Sequence, residues 1–197
     1  MKKAYIIGLM VVLFLGGSVY LILSTNEKGF EKVLLSRTFT LSKISGNGAT
    51  ISCQTPRGWS GGQSDQRFMI LPPQPTGLEY IYTPAITIHF YKPEDGFVSA
   101  ENYVSYLLNK EQTKEIGLTQ KIKVAGKESY RFDTEEELPP LEDPGGPGPI
   151  TIRNAYAIVS WDKGFWVFRY STAKQDFNMY SGVSEYLVKS CQFPGKE

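Results

Sequence analysis

The sequence contains one histidine, two cysteines and no Asn-x-Ser/Thr sequon. A single imidazole excludes metal sites built on paired histidines. It also means that any histidine-dependent proton transfer would have to use His89. Two cysteines with one histidine are too few for a structural zinc site, so no metal and no cofactor is expected. An excess of one charge is also missing: 21 Lys and Arg stand against 20 Asp and Glu. Lys2 and Lys3 precede a long uncharged run, and without them the remainder is near neutral. Such a chain has no basic field to hold a phosphate backbone, which excludes nucleic acid as a partner. There are no internal repeats.

What is present begins with Ala4–Leu23, which carries no charge. At 1.5 Å per residue, about twenty helical residues span roughly 30 Å, the hydrocarbon thickness of a bilayer. With Lys2 and Lys3 on its N-terminal side, the positive-inside rule leaves the N-terminus cytoplasmic and the rest of the chain outside. Residues 1–28 are therefore expected to be a signal-anchor in the cell membrane. The alternative is a cleaved signal peptide, with Gly16-Gly17-Ser18 as the small residues before a cut at Val19. That would leave a secreted or periplasmic protein. Against cleavage, the apolar run continues through Val19-Tyr20-Leu21-Ile22-Leu23. No cysteine lies nearby to carry a lipid.

Residues 29–48 read as a stalk and 49–194 as one α+β domain, large enough for a core with 41% hydrophobic and 13% aromatic residues. Ala49–Cys53 reads as the first strand and Arg67–Leu71 as the second, with a turn at Pro56 and Gly58-Trp59 between them. Leu78–Tyr91 holds two extended stretches split by Pro84, and alternation in the second puts Ile86, Ile88 and Phe90 on one face. Ser99 can cap a helix whose stripe is Tyr103, Tyr106 and Leu107. A hairpin is expected around Ala125-Gly126-Lys127, and a clearer one around Asp162-Lys163-Gly164. Its aromatic strands, with Trp161, Phe165, Trp166, Phe168 and Tyr170, should lie centrally in the sheet. A helix over 176–190 closes the chain, with Phe177, Tyr180, Val183, Tyr186 and Leu187 at helical spacing. Strands, helix, two hairpins and helix argue for an antiparallel sheet with helices packed against it.

Cys53 and Cys191 sit near the two ends of the domain, and outside the cytoplasm such a pair suits a disulfide. Two unpaired buried thiols are the other reading. Residues 133–149, rich in acid, proline and glycine, read as a long loop. Its Glu135, Glu136, Glu137, Glu142 and Asp143 form a candidate partner contact and lack the spacing of a calcium loop. Gly58-Trp59-Ser60-Gly61-Gly62 matches the G-x-S-x-G pattern of a hydrolase elbow. No helical run follows it, so it reads as a glycine-rich turn.

From Ile51 to Phe193 the chain resembles the PsbP-like superfamily of α/β/α sandwich domains. The resemblance rests on Pro56-x-Gly58-Trp59, Ile86-x-Ile88-x-Phe90 and the Val124-x-Gly126 turn. The Ala155–Tyr170 hairpin and the closing Ser190-Cys191-Gln192-Phe193 complete it. It implies a non-catalytic accessory or binding domain, the class that includes photosystem assembly subunits and a Ran-binding import factor. The N-terminal anchor and the acidic segment depart from that pattern. The expectation is a membrane-tethered, extracytoplasmic, non-catalytic binding or assembly module of a bacterial envelope, acting on an envelope protein partner. The alternatives are a small-ligand-binding domain and a serine hydrolase using Ser60 and His89.

Overall fold

The structure, a computed structural model, describes residues 39–64, 67–73, 82–110, 113–139 and 148–194. The anchor expected over 1–28 lies outside them. Among the described residues no helix is long and apolar enough to cross a membrane. Thr40–Glu197 forms one compact unit. Its strands are β1 (Phe39–Gly46), β2 (Ala49–Pro56), β3 (Ser60–Ser64), β4 (Arg67–Leu71), β5 (Ala85–Tyr91), β6 (Thr113–Val124), β7 (Lys127–Leu138), β8 (Ile150–Trp161) and β9 (Gly164–Ala173). Its helices are α1 (Ala100–Leu108) and α2 (Phe177–Ser190). β1 and β2 pair with each other, and the other strands form one sheet in the order β3-β4-β5-β9-β8-β7-β6. Every neighbouring pair in that sheet is antiparallel.

The aromatic hairpin is central, as its composition requires. A strand covered on both faces needs apolar side chains at odd and even positions alike. In β9, Trp166, Phe168 and Tyr170 join one buried cluster with Phe177, Leu187 and Val188 of α2. Phe165 and Val167 join a second with Ala100, Tyr103 and Val104 of α1. Consecutive residues of a strand point to opposite faces, so α1 and α2 cover opposite faces of the sheet. This is an α/β/α arrangement. Full burial of each large β9 side chain contributes about 1.5–3 kcal/mol. Gly164 closes the hairpin at φ +153°, and a Cβ there would overlap the Tyr91 carbonyl oxygen. Ser99 caps α1 by accepting from the Asn102 amide at 3.1 Å. Val104 is buried there, whereas Tyr106 is 52% exposed and does not belong to the packed stripe.

The stalk reading fails beyond residue 38, because Phe39–Gly46 is a strand. The reason is local. Asn47 and Gly48 take φ +49° and +79°, the two left-handed positions of the turn that matches strand twist. Ile44, Ile51 and Cys53 of this hairpin are buried against α2 and the sheet. β2 is joined to the end of α2 by the Cys53–Cys191 disulfide. Reciprocal backbone bonds between Ser52 and Gln192 at 3.0 and 2.7 Å flank it, with Gln54 N donating to Ser190 Oγ at 2.9 Å.

Two further expectations are corrected. The glycine-rich segment after Trp59 is an edge strand, Ser60–Ser64, rather than a turn. Edge placement tolerates glycine because only one ladder of hydrogen bonds has to form. The acidic loop expected over 133–149 is strand as far as Leu138. Its carboxylates are held by cross-strand and neighbouring partners: Asp133 by Arg153 at 2.8 Å and Glu135 by Lys174 at 3.0 Å. The first of the two stretches expected within Leu78–Tyr91 lies largely outside the described residues.

Candidate functional site

The site grows from the register of the face that α1 covers. Tyr91 of β5 stands opposite Phe165 of β9, beneath the helix. One rank further, Arg67, His89, Val167, Ile158 and Tyr130 lie side by side across β4, β5, β9, β8 and β7. The next rank is Met69, Thr87, Arg169, Tyr156 and Phe132, followed by Ala85, Ser171, Asn154 and Thr134. The face thus passes from aromatic under α1 to polar beyond it. A cavity of about 140 Å³ opens there, with Arg67, Thr87, His89, Tyr156, Glu136 and Arg169 on the sheet side. Tyr103, Leu107 and Lys110 from α1 and its end complete the lining.

Its electrostatics are one-sided. Arg67, Lys110 and Arg169 face a single carboxylate, Glu136, across the lining. None of the three cations forms an ion pair among the described residues. Glu136 is engaged by the Asn154 side-chain amide at 3.3 Å. His89 is 7% exposed, and neither ring nitrogen has a hydrogen-bond partner among the described residues. Its ring lies 4.0 Å from that of Tyr91. Burial, and then the positive charge of Arg67, push His89 below the ordinary histidine value, while Asp95 pulls it up. Burial drives the Tyr103 phenol well above the tyrosine range, helped by its 3.5 Å hydrogen bond to the Tyr91 hydroxyl. Burial also raises Tyr156, against the lowering influence of Arg169, which donates to its oxygen. The cleft therefore presents cations, neutral phenols and a neutral imidazole.

Of the residues singled out in the sequence, the structure brings His89 and Glu136 into this cleft. Ser60 is not with them. It pairs with Leu71 while His89 pairs with Arg67, which is four residues along and two strands across. That separation is roughly 16 Å at ordinary strand spacings, too far for a nucleophile and its base. Glu135 and Glu137 point to the opposite face from Glu136, by strand alternation. Glu142 and Asp143 lie outside the described residues. Among the described residues, no group of acidic, histidine and cysteine side chains is placed to hold a metal. Sequence reasoning missed Arg67, Arg169, Tyr103 and Tyr156. A usable signal was Arg169, a charge set within the most aromatic strand of the chain.

An antiparallel sheet between two helices, with a basic, tyrosine-walled cleft on one face, defines an α/β/α sandwich domain. No protein-family model matches the chain, and no curated protein matches it in sequence. Solved structures do match in fold. A Pseudomonas aeruginosa protein of unknown function aligns at TM-score 0.51 and 12% identity, over 81% of this chain and 99% of its own. The cyanobacterial PsbP of Synechocystis aligns at TM-score 0.50 and 11% identity, over 79% of this chain and 93% of its own. The fold is PsbP-like, as the sequence resemblance implied.

Proposed function

We propose that this chain is a non-catalytic accessory module of the cell envelope, held at the membrane by residues 1–28, whose extracytoplasmic domain binds a partner protein. The observation that carries this reading is the cleft beside α1: three cations without ion pairs among the described residues, walled by neutral phenols. Such a set serves recognition and lacks a nucleophile within reach of a base. The Cys53–Cys191 disulfide suits an oxidising compartment. Glu136 brings the acidic stretch of β7 to the edge of the cleft. The size of the cleft favours a second reading, a small-ligand-binding envelope domain.

Crosslinking in native membranes, followed by mass spectrometry, tests the proposal. A stoichiometric envelope protein crosslinked at Lys110 or along β7 is the expected result. Recovery of the domain alone would transfer the function to a small ligand. The intact mass of the extracted protein reads the tether: it retains residues 1–28 if they anchor the chain and begins at Val19 if they were cleaved.

A further inference from the structure

We infer that the cleft beside α1 is a site for a single oxyanion, a carboxylate or a phosphate, gripped by Arg169, Arg67 and His89. The inference rests on the binding-module reading and specifies what that module's cleft takes.

Charge selects the sign of the ligand. His89 stands directly opposite Arg67, and Arg169 is its diagonal neighbour on β9. Two guanidinium groups so placed repel one another until an anion lies between them, and the planar fork of each fits a carboxylate or phosphate with two parallel bonds. Glu136, the one carboxylate on the cavity lining, is already bonded by Asn154. It sits three strands across and six residues along from His89, roughly 25 Å away at ordinary strand spacings.

Burial points to the same place. Buried polar side chains are bonded in the great majority of cases. His89 is more than nine-tenths buried, lines the cavity and, among the described residues, bonds nothing with either nitrogen. An oxyanion supplies the acceptor that its N–H lacks. The Tyr156 hydroxyl on the cavity wall, kept protonated by burial, supplies a further donor.

Volume sets the size. A cavity of about 140 Å³ holds about four or five waters' worth of liquid. It accepts one carboxylate or phosphate group with a few attached atoms. It is well below the 300–1,000 Å³ or so that a drug-sized ligand or cofactor needs. The oxyanion is therefore either a small free ion or the acidic tip of a larger partner.

The test is a titration of the isotope-labelled full chain, held in a nonionic detergent, with inorganic phosphate and separately with N-acetyl-glutamate methylamide. Sodium chloride at matched ionic strength is the control. Saturable movement of the His89 ring resonances with at least one probe is expected. Arg169→Gln should weaken that binding by about tenfold or more, as loss of a charge-assisted bond does. Arg67→Gln, at an exposed position, provides the same reading without risk to the core. Tighter phosphate binding identifies a free or phosphorylated source, and tighter glutamate binding identifies an acidic side chain of a protein partner. The inference is overturned if neither probe moves His89 beyond the chloride control, or if both variants bind like the parent. A captured envelope partner with no oxyanion binding sinks this inference and leaves the module reading intact. Oxyanion binding without any captured partner does the reverse.

Discussion

Replacing both Cys53 and Cys191 with alanine removes the one covalent bond between the start and the end of the domain. The bond closes a loop with a sequence separation of 138. In the chain-entropy model, a loop of that length removes unfolded-state freedom worth about 5 kcal/mol. A domain of this size is stable by only about 5–15 kcal/mol, so the loss is a large share. With a urea dependence of about 2 kcal/mol per molar, the unfolding midpoint should fall by roughly 2–3 M. The seam itself should not open. The paired Ser52–Gln192 bonds, the Gln54–Ser190 bond and the Tyr186 hydroxyl donating to Gln54 Oε1 at 2.6 Å contribute about 1 kcal/mol each. Hydrogen exchange at the Ser52 and Gln192 amides should therefore accelerate only in step with the core of the sheet. Two results would refute the reasoning. One is a midpoint shift worth less than about 1 kcal/mol. The other is fast exchange confined to β1 and β2, which would make the disulfide a local clasp.

Other outcomes follow from the same geometry. The folded state favours neutral His89, so unfolding below the ordinary value of 6.5 takes up a proton. Its contribution is then full above pH 6.5, falls as pH drops beneath it and levels off below the folded value. His89→Gln should flatten that part of the stability–pH curve. Bound phosphate should flatten it too, because an anion offsets the pressure of Arg67 on the ring; an unchanged slope in the variant counts against the burial argument. Gly164→Ala should cost about 3 kcal/mol or more in urea unfolding, since the added Cβ meets backbone at the Tyr91 carbonyl and cannot be accommodated by a rotamer. A loss under about 1 kcal/mol would mean that the β8–β9 turn and the end of β5 are not in close contact. Ser60→Ala should change stability by less than about 0.5 kcal/mol, as at other exposed sites. Labelling of Ser60 by a serine-reactive probe would revive the hydrolase reading.

The legible parts of the fold were those where local chemistry and tertiary demand agree. Asp162-Lys163-Gly164 between runs of aromatics announces the central hairpin, Ser99 announces α1, and the spacing of Phe177, Val183 and Leu187 announces α2. β1 was hidden because its sequence, Phe39–Gly46, is mostly polar, with Leu41 exposed. β3 was hidden by Gly61 and Gly62, and the end of β7 by three consecutive glutamates, of which Glu135 and Glu136 find partners on other elements. The cleft was illegible for a different reason. Thr87 and His89, Arg169 and Ser171, and Asn154 and Tyr156 alternate with apolar residues just as the wet face of a two-layer sheet would. Only the assembled register turns that alternation into a buried polar floor. Even then the sequence carries no mark of which strands stand side by side, because β5 meets β9 across some eighty residues of chain.

The seam between β2 and the end of α2 also puts the domain's construction in order of time. A chain leaves the ribosome from its N-terminus, so the β1–β2 hairpin exists long before anything can cover its buried face. Ser52, Cys53 and Gln54 wait for Ser190, Cys191 and Gln192. β5 waits for β9, and the oxyanion cleft waits for both. Loop closures this long make folding slow. Almost the whole chain has to be delivered before the sheet can close, so the domain is completed after synthesis rather than during it. A truncation of the last dozen residues would remove the piece on which the first strands depend.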